Sequence, residues 1–255
     1  MSLMEIKNLN KSFGGLSAVI DFDFRLEQNE LVGLIGPNGA GKTTVFNLIT
    51  GVYKPDSGII VFNNKNIAGL PPYVICSLGI ARTFQNIRLF NNLTVLDNVK
   101  IAAHKDVSYG LFSSILRTPA FFKGEKQIEA DALKYLEIFK LDTKRHEIAK
   151  NLPYGEQRRL EIARALATKP TMLILDEPAA GMNPQETKGL MNLIEWIRRD
   201  FNLSILLIEH DMSLVMGVCE RIYVLDYGQI IAEGLPEEIR NNKDVIEAYL
   251  GEEVE

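Results

Sequence analysis

Long apolar runs, cysteines and blocks of basic residues are all scarce in this sequence of 255 residues, and each scarcity excludes a class of protein. No apolar run approaches the roughly 18 residues that a membrane-spanning helix needs, and the first residues lack the apolar core of a signal peptide. The two cysteines, Cys76 and Cys219, match no metal-binding spacing, so we expect reduced thiols in a reducing compartment. These features predict a cytoplasmic chain that reaches the inner face of a membrane only as a peripheral partner of other subunits.

The charge balance is mildly acidic. The net charge is −5 and no long basic run occurs. Binding to nucleic acid depends on Lys and Arg side chains that neutralise phosphates, so we expect no nucleic-acid partner. Hydrophobic residues make up 46% of the chain and charged residues 24%, which is typical of a globular enzyme with a sizeable core.

Two kinds of apolar pattern predict strands. Ile20–Leu26 alternates apolar and polar residues, which indicates a half-exposed antiparallel strand. Leu31–Ile35 is almost continuously apolar and short, which favours a strand buried on both faces in a parallel sheet. Residues 171–175 and 204–208 have the same character. A parallel sheet flanked by helices, with an antiparallel part near the start, is therefore predicted.

The residue pattern in the middle of the chain indicates helices rather than strands. Residues 95–140 read as mainly helical, apart from a break at residues 109–123 that is too apolar for a disordered linker. Alternating helix and strand patterns return after Gly155. We therefore predict an α/β core made of residues 1–86 and 153–255, interrupted by a helical subdomain over residues 87–152.

The most specific motif is a glycine-rich loop between a buried strand and a helix, with the spacing Gly-x-x-x-x-Gly-Lys-Thr. Glycines allow backbone amides to turn around phosphate oxygens, and the lysine reaches the β- and γ-phosphates. The threonine hydroxyl is a ligand for Mg²⁺. A glycine-rich turn without a ligand is the alternative. The predicted nucleotide-binding residues are Gly36, Pro37, Asn38, Gly39, Ala40, Gly41, Lys42, Thr43 and Thr44.

A second apolar strand ends in two acids. Thr171-Met-Leu-Ile-Leu-Asp176-Glu177 places Asp176 where it can hold Mg²⁺ through water. Glu177 can polarise a water for attack on the γ-phosphate, as a general base. Taken alone, the pair has a helix cap or surface acids as its alternative, and the glycine-rich loop strengthens the catalytic interpretation.

Four further elements carry a family resemblance. Leu152-Pro-Tyr-Gly-Glu-Gln-Arg-Arg-Leu-Glu-Ile-Ala-Arg-Ala-Leu166 resembles the signature stretch and following helix of ABC ATPases. Gln85 stands at the Q-loop position of that family, at the junction of core and insert. His210, in Ile208-Glu-His-Asp211, matches the switch histidine, and Phe13 matches the aromatic residue that stacks on adenine. The order of these elements matches as well, so the resemblance covers essentially the whole chain.

The resemblance implies a P-loop ABC ATPase core with a mixed sheet, flanking helices, an antiparallel β part and an inserted helical subdomain. It implies ATP and Mg²⁺ as ligands, with Gln85 as a metal ligand and sensor and His210 as a contact of the γ-phosphate. It also implies transmembrane permease subunits and a second ATPase, whose nucleotide is closed by the cross-dimer signature residues Pro153, Tyr154, Gly155 and Glu156.

The signature and the D-loop depart from the family pattern. Pro153 stands where the signature usually has serine, Tyr154 where it has glycine, and Glu156 where it has glutamine. Asn183 stands where the D-loop usually has aspartate. A proline at the start of a helix is also simply a good helix start. Our hypothesis is that this composite site works best opposite a different, sister ATPase.

Resemblance to one subgroup of ABC ATPases favours a particular kind of transporter. The stretches around residues 82–86, 152–164, 176–184 and 206–212, and the apolar segment at 109–122, are similar to the bacterial ATP-binding subunit of branched-chain amino-acid importers. That resemblance implies a periplasmic binding protein as an indirect partner. The alternatives are the ATPase of lipopolysaccharide export, a soluble ABC ATPase acting on DNA or ribosomes, and a P-loop kinase.

Overall fold

The computed structural model describes residues 2–107 and 109–250. Its strands are, in chain order, β1 (Ser2–Phe13), β2 (Leu16–Glu27), β3 (Leu31–Ile35), β4 (Ser57–Phe62), β5 (Lys65–Asn66), β6 (Ile80–Arg82), β7 (Met172–Asp176), β8 (Ser204–Ile208), β9 (Arg221–Asp226) and β10 (Gln229–Gly234). Its α-helices are α1 (Lys42–Ile49), α2 (Pro72–Leu78), α3 (Val95–Ala103), α4 (Leu111–Ile115), α5 (Pro119–Ile138), α6 (Tyr154–Leu166), α7 (Pro184–Asp200), α8 (Met212–Val218), α9 (Pro236–Arg240) and α10 (Lys243–Leu250). Short 3-10 helices lie at His104–Asp106, Asp142–Lys144 and Ala149–Asn151.

The chain forms two compact units. The first contains the chain up to Arg82 and from Thr171 onward, and the second is Thr83–Pro170. The predicted helical subdomain at 87–152 falls inside the second unit. That unit also contains residues 153–170, which the sequence pattern assigns to the core, because α6 packs against α3 and α5.

A four-stranded antiparallel sheet of order β2-β1-β4-β5 forms one part of the first unit. In β2 the side chains of Phe22, Phe24 and Leu26 are buried while Asp23 and Arg25 between them are exposed. This alternation is what gives a sheet one apolar face and one solvated face. The prediction of a half-exposed antiparallel strand at this place is confirmed.

A six-stranded sheet of order β10-β9-β3-β8-β7-β6 forms the rest. β9, β3, β8, β7 and β6 run parallel to their neighbours, and β10 pairs antiparallel with β9. Every residue of β3, β7 and β8 is buried, as the continuous apolar runs predicted. Because parallel strands end at one sheet edge, the loops after β3, β7 and β8 lie beside one another, where ligands bind in α/β sheets.

The last two strands form a hairpin. Tyr227 and Gly228 connect β9 and β10, with φ angles of 40° and 81°. Two successive left-handed residues make the turn that suits the twist of a β-hairpin. The helical segment that follows the hairpin consists of two helices, α9 and α10, which are separated at Asn241 and Asn242.

The helical unit has its own core. α3, α5 and α6 pack on one another through fully buried side chains that include Val99, Leu136 and Leu160. The apolar segment at 109–123 contains α4 and the start of α5, and Phe112 in it is 81% exposed. Within the described residues, no helix combines the length and the apolar character that crossing a membrane requires.

Candidate functional site

The glycine-rich loop joins β3 to α1, as its sequence predicts, and two of its glycines are required by the backbone. Gly36 has a φ of 151° and Gly41 a φ of 105°. A Cβ atom on Gly36 would lie 2.0 Å from the carbonyl oxygen of Leu225, and one on Gly41 would lie 2.4 Å from that of Ala18. Any side chain at either position would therefore displace the backbone behind the loop.

Lys42 is buried at the first position of α1, and its ammonium group donates to the carbonyl oxygens of Gly36 and Pro37. The ammonium thus lies within the curve of the loop. The amides of the helix start and the helix dipole add positive potential at the same place. The loop is held from outside as well, because the amide of Gly228 donates to the carbonyl of Ala40 at 2.9 Å.

The two acids stand at the end of β7. Asp176 is the last residue of the strand and is buried, in register with Ile208 on β8. The amide of Glu177 donates to the carbonyl of Ile208 at 2.8 Å, and the φ of Glu177 is 44°. A left-handed backbone at a non-glycine residue is strained and is often found at functional sites.

Glu209 is a site residue that the sequence patterns did not predict. Its side chain is fully buried, and its Oε1 accepts the amide of Ala179 at 2.8 Å. Its Oε2 accepts the amides of His210 at 3.0 Å and Asp211 at 3.3 Å. One carboxylate therefore ties the loop after β7 to the loop after β8. The usable signal is an acid that stands between a buried strand and the histidine.

Phe13 lies at the end of β1, 43% exposed. Its ring makes an edge-to-face contact with Tyr53, with 5.1 Å between the ring centroids, and the ammonium of Lys11 lies 5.3 Å from its centroid. Because the Phe13 side chain is partly exposed, part of its ring is accessible to a ligand. Tyr53 was not predicted, because a single tyrosine in a loop has no sequence pattern around it.

The signature residues begin α6 in the second unit. Pro153 is the N-cap and its carbonyl accepts the amide of Glu156 at 2.9 Å. Tyr154 is 47% exposed, and a Cβ on Gly155 would meet no atom within 4 Å. The Glu156 carboxylate accepts a hydrogen bond from Lys144 at 2.7 Å. The space beside Gly155 at the helix start is therefore open, and Lys144 neutralises the charge of Glu156.

Gln85 also belongs to the second unit. Its backbone carbonyl accepts a hydrogen bond from the guanidinium of Arg158 at 2.8 Å. Arg158 and its partner Glu161 were not predicted as site residues, although an ion pair at i,i+3 within an apolar helix pattern is a usable signal. The P-loop, Asp176, Glu177, His210 and Phe13 are all in the first unit, while Gln85 and the signature are in the second.

Asn183, the D-loop departure, has a local role. Its side chain accepts the amides of Gln185 and Glu186, both at 3.0 Å, at the start of α7. The Glu186 carboxylate in turn accepts the amide of Asn183 at 2.9 Å, which completes a capping box. Asn183 is thus the cap of α7, and Pro184 occupies the first helical position.

The loop of residues 36–43 fits a nucleoside triphosphate. Its glycine backbone, its lysine and its position before a helix are the features that bind phosphate oxygens. A groove of about 870 Å³ is lined by residues 37–40 of this loop together with Asp226, Asp244 and Glu247. Those three carboxylates would repel a polyphosphate, whereas the Lys42 ammonium would attract it. Thr43, exposed at the helix start, and Asp176 supply the oxygens that Mg²⁺ prefers.

Comparison with known proteins agrees with this geometry. The family model described as ABC transporter matches residues 19–180. The chain is similar to the high-affinity branched-chain amino acid transport ATP-binding protein LivG of Salmonella typhimurium, with 52% identity over 98% of each chain. It is 36% identical to the lipopolysaccharide export system ATP-binding protein LptB of Haemophilus influenzae over 99% of each. The structure of the ADP conformation of MJ1267, an ATP-binding cassette of an ABC transporter, superposes with a TM-score of 0.85 at 32% identity, over 98% of this chain and 99% of that one.

The chain therefore belongs to the ABC transporter family of ATP-binding proteins, and it is an ABC-type ATPase. Within that family, residues 229–255 match the model described as branched-chain amino acid ATP-binding cassette transporter. The fold expected from the resemblance, a P-loop core with an antiparallel β part and a helical region, is confirmed.

Proposed function

We propose that this chain is the ATP-hydrolysing subunit that powers an importer of the branched-chain amino acids leucine, isoleucine and valine. The observation that carries the proposal is the placement of Glu177. It follows a buried strand directly after Asp176, next to the loop of His210, in a chain similar to LivG along its whole length. LptB is similar at lower identity, and the match at residues 229–255 supports amino-acid import over lipopolysaccharide export.

The chemistry is in-line attack of water on the γ-phosphate of ATP. The amides of residues 38–43 and Lys42 bind and orient the phosphates. Thr43 and Asp176 would hold Mg²⁺, and the bound ion would supply positive charge against the phosphate oxygens. The Glu177 carboxylate accepts the proton of the attacking water. Phe13 stacks on the adenine.

The remaining site residues report the state of the nucleotide. Gln85 contacts the Mg²⁺ or the γ-phosphate, and His210 contacts the γ-phosphate. The signature turn of Pro153, Tyr154, Gly155 and Glu156 closes on the nucleotide of a second ABC ATPase, because a helix start offers amides and positive potential. ATP favours the closed pair and hydrolysis releases it, which is a population shift driven by the ligand.

The partners follow from this role. Two transmembrane permease subunits hold the chain at the inner face of the cell membrane, and a periplasmic binding protein selects the amino acid. No residue of this chain contacts the transported amino acid. The second ATPase is a sister chain or another copy, and the departures at Tyr154 and Asn183 favour a sister. Measuring the ATPase rate of the chain alone and of the chain mixed with its sister distinguishes these two possibilities. Full ATPase activity of the chain alone contradicts the requirement for a sister.

Transport in proteoliposomes tests the whole proposal. The chain is reconstituted with candidate permease subunits and a candidate sister ATPase, with ATP and Mg²⁺ on the ATPase side. We expect radiolabelled leucine to accumulate only when the binding protein is added. The Glu177→Gln variant is the matched control and gives no uptake. Copurification with lipopolysaccharide-export components, or ATP hydrolysis that never moves an amino acid, contradicts the proposal.

A further inference from the structure

Arg158 is a charged residue that the proposed mechanism does not use, and it is completely buried within the helical unit. Its Nη1 donates to the carbonyl of Phe84 at 2.6 Å and to the carboxylate of Glu161 at 2.9 Å. Its Nη2 donates to the carbonyl of Gln85 at 2.8 Å and to the hydroxyl of Tyr154 at 3.1 Å. One guanidinium therefore joins the Q-loop backbone to the first turn of the signature helix.

Glu161 completes the arrangement from the same helix. It is also buried, and its Oε1 accepts the amides of Phe84 at 3.4 Å and Arg88 at 3.1 Å. Burial raises the pKa of this carboxyl, while the Arg88 amide and the charge of Arg158 act against that shift. The segment from residue 84 to residue 88 is thus held at both ends by side chains of α6.

A buried ion pair needs a reason other than stability, because apolar side chains of similar volume often stabilise a core at least as well. What a guanidinium adds is a planar fork that fixes the positions of several oxygens at once. All four acceptors of Arg158 belong either to the Q-loop or to α6. The guanidinium therefore fixes the position of the Q-loop backbone relative to α6.

We propose that Arg158 is a positioning residue that fixes the backbone of Gln85 to the signature turn, so that the two move as one body when nucleotide binds. Tyr154 takes part through its hydroxyl, which a glycine at this position would lack. The unusual tyrosine in the signature is then an anchor for the guanidinium. This inference rests on the roles proposed above for Gln85 and the signature.

The first test replaces the fork and keeps the charge. Arg158→Lys offers one ammonium, which cannot reach four acceptors in the same geometry. In the complex reconstituted with permeases, we expect kcat for ATP to fall roughly ten- to a hundredfold, since small misplacements of reacting groups have effects of this size. We expect KM to stay within about twofold, because the P-loop is unchanged. Arg159→Lys, one position along the same helix, is the control and keeps wild-type kcat.

A second variant covers the case in which Arg158→Lys fails to fold. Tyr154→Phe removes only a hydroxyl from a half-exposed ring. We expect faster deuterium exchange at the amides of residues 84–88, unchanged exchange at residues 38–43, and a kcat reduced about threefold. If the two variants act through one contact, the double variant is no worse than Arg158→Lys alone.

The outcomes separate this inference from the proposed function. Wild-type kcat and exchange in both Arg158→Lys and Tyr154→Phe, while Glu177→Gln is inactive, overturn the positioning role only. Fully additive effects of the two variants overturn the link between them. A wild-type complex that hydrolyses ATP but never moves an amino acid overturns the proposed function itself.

Discussion

The Nδ1 atom of His210 lies 3.8 Å from Oε2 of Glu177, although 33 positions separate the two residues (210 minus 177). They belong to loops that follow the adjacent parallel strands β7 and β8. The buried carboxylate of Glu209 accepts amides from both loops and so holds the pair in place. The proposed general base and the histidine are therefore positioned by one residue, Glu209.

Glu177→Gln tests the base directly. The amide cannot accept the proton of the attacking water, so we expect turnover to fall at least about a hundredfold, in line with the worth of general base catalysis. ATP binding should remain, and gel filtration with ATP and Mg²⁺ should show an ATP-bound dimer. A variant that hydrolyses ATP at the normal rate would show that another group is the base.

Glu209→Gln tests the positioning of that pair. A glutamine amide has only one oxygen, so either the buried amide of Ala179 or the amides of His210 and Asp211 would lose their acceptor, at a cost of about 1–3 kcal/mol. We expect a lower melting temperature and a lower kcat together. Glu195→Gln, exposed on α7, is the control for loss of an acid. An unchanged kcat in Glu209→Gln would mean that the loops after β7 and β8 keep their positions without the Glu209 carboxylate.

Lys42→Ala should weaken nucleotide binding. A hydrogen bond to a charged group contributes about 1.5–3 kcal/mol, which corresponds to roughly ten- to a hundredfold in Kd for ATP. Titration with a fluorescent ATP analogue measures the change. Lys65→Ala, exposed on β5, removes the same side chain away from the loop and should bind normally. Equal affinities of the two variants would refute the loop as the phosphate site.

Two glycine-to-alanine changes should have opposite signs. Gly41→Ala would place a Cβ 2.4 Å from the carbonyl of Ala18 at a left-handed φ, so we expect lost ATP binding and lower stability. Gly189 is exposed inside α7, and a Cβ atom added to it would meet no other atom within 4 Å. Alanine there should stabilise the protein by up to about 1 kcal/mol. Thermal unfolding measures both, and a stabilising Gly41→Ala would contradict the described loop.

The two cysteines should differ in reactivity. Burial raises the pKa of the Cys219 thiol, and the charge of Glu220 adds to the effect, whereas Cys76 is partly exposed. Because the thiolate is the reactive form, Cys219 should resist alkylation at about pH 8 and remain resistant as the pH rises by about one unit. Mass spectrometry should find label on Cys76 alone until the protein unfolds. Early label on Cys219 would show that its surroundings open readily.

The elements that the sequence could predict are those with a local pattern. The buried strands are visible in their apolar runs, and the P-loop in its spacing between a strand and a helix. The Asn183–Pro184 start of α7 is visible because capping involves residues three positions apart. The strand predicted at residues 171–175 is displaced by one residue, since β7 begins at Met172.

What the sequence could not predict depends on distant contacts. Glu209 is recognisable as a site residue only through its bond to Ala179, 30 positions away in the chain. The helical unit extends beyond residue 152 because of how α6 packs, which no periodicity records. The break of the last helical segment into α9 and α10 follows from Asn241 and Asn242, whose side chains favour turns and caps.

The phosphate loop lies near the start of the chain, yet its supports are made near the end. Strand β3, which leads into it, lies between β8 and β9 in the sheet, and the turn at Gly228 bonds to Ala40. During synthesis on the ribosome, residues 36–43 therefore emerge long before the strands that hold them. We expect nascent chains shorter than about 230 residues to bind no ATP, so that the chain becomes competent for nucleotide only when its translation is nearly complete.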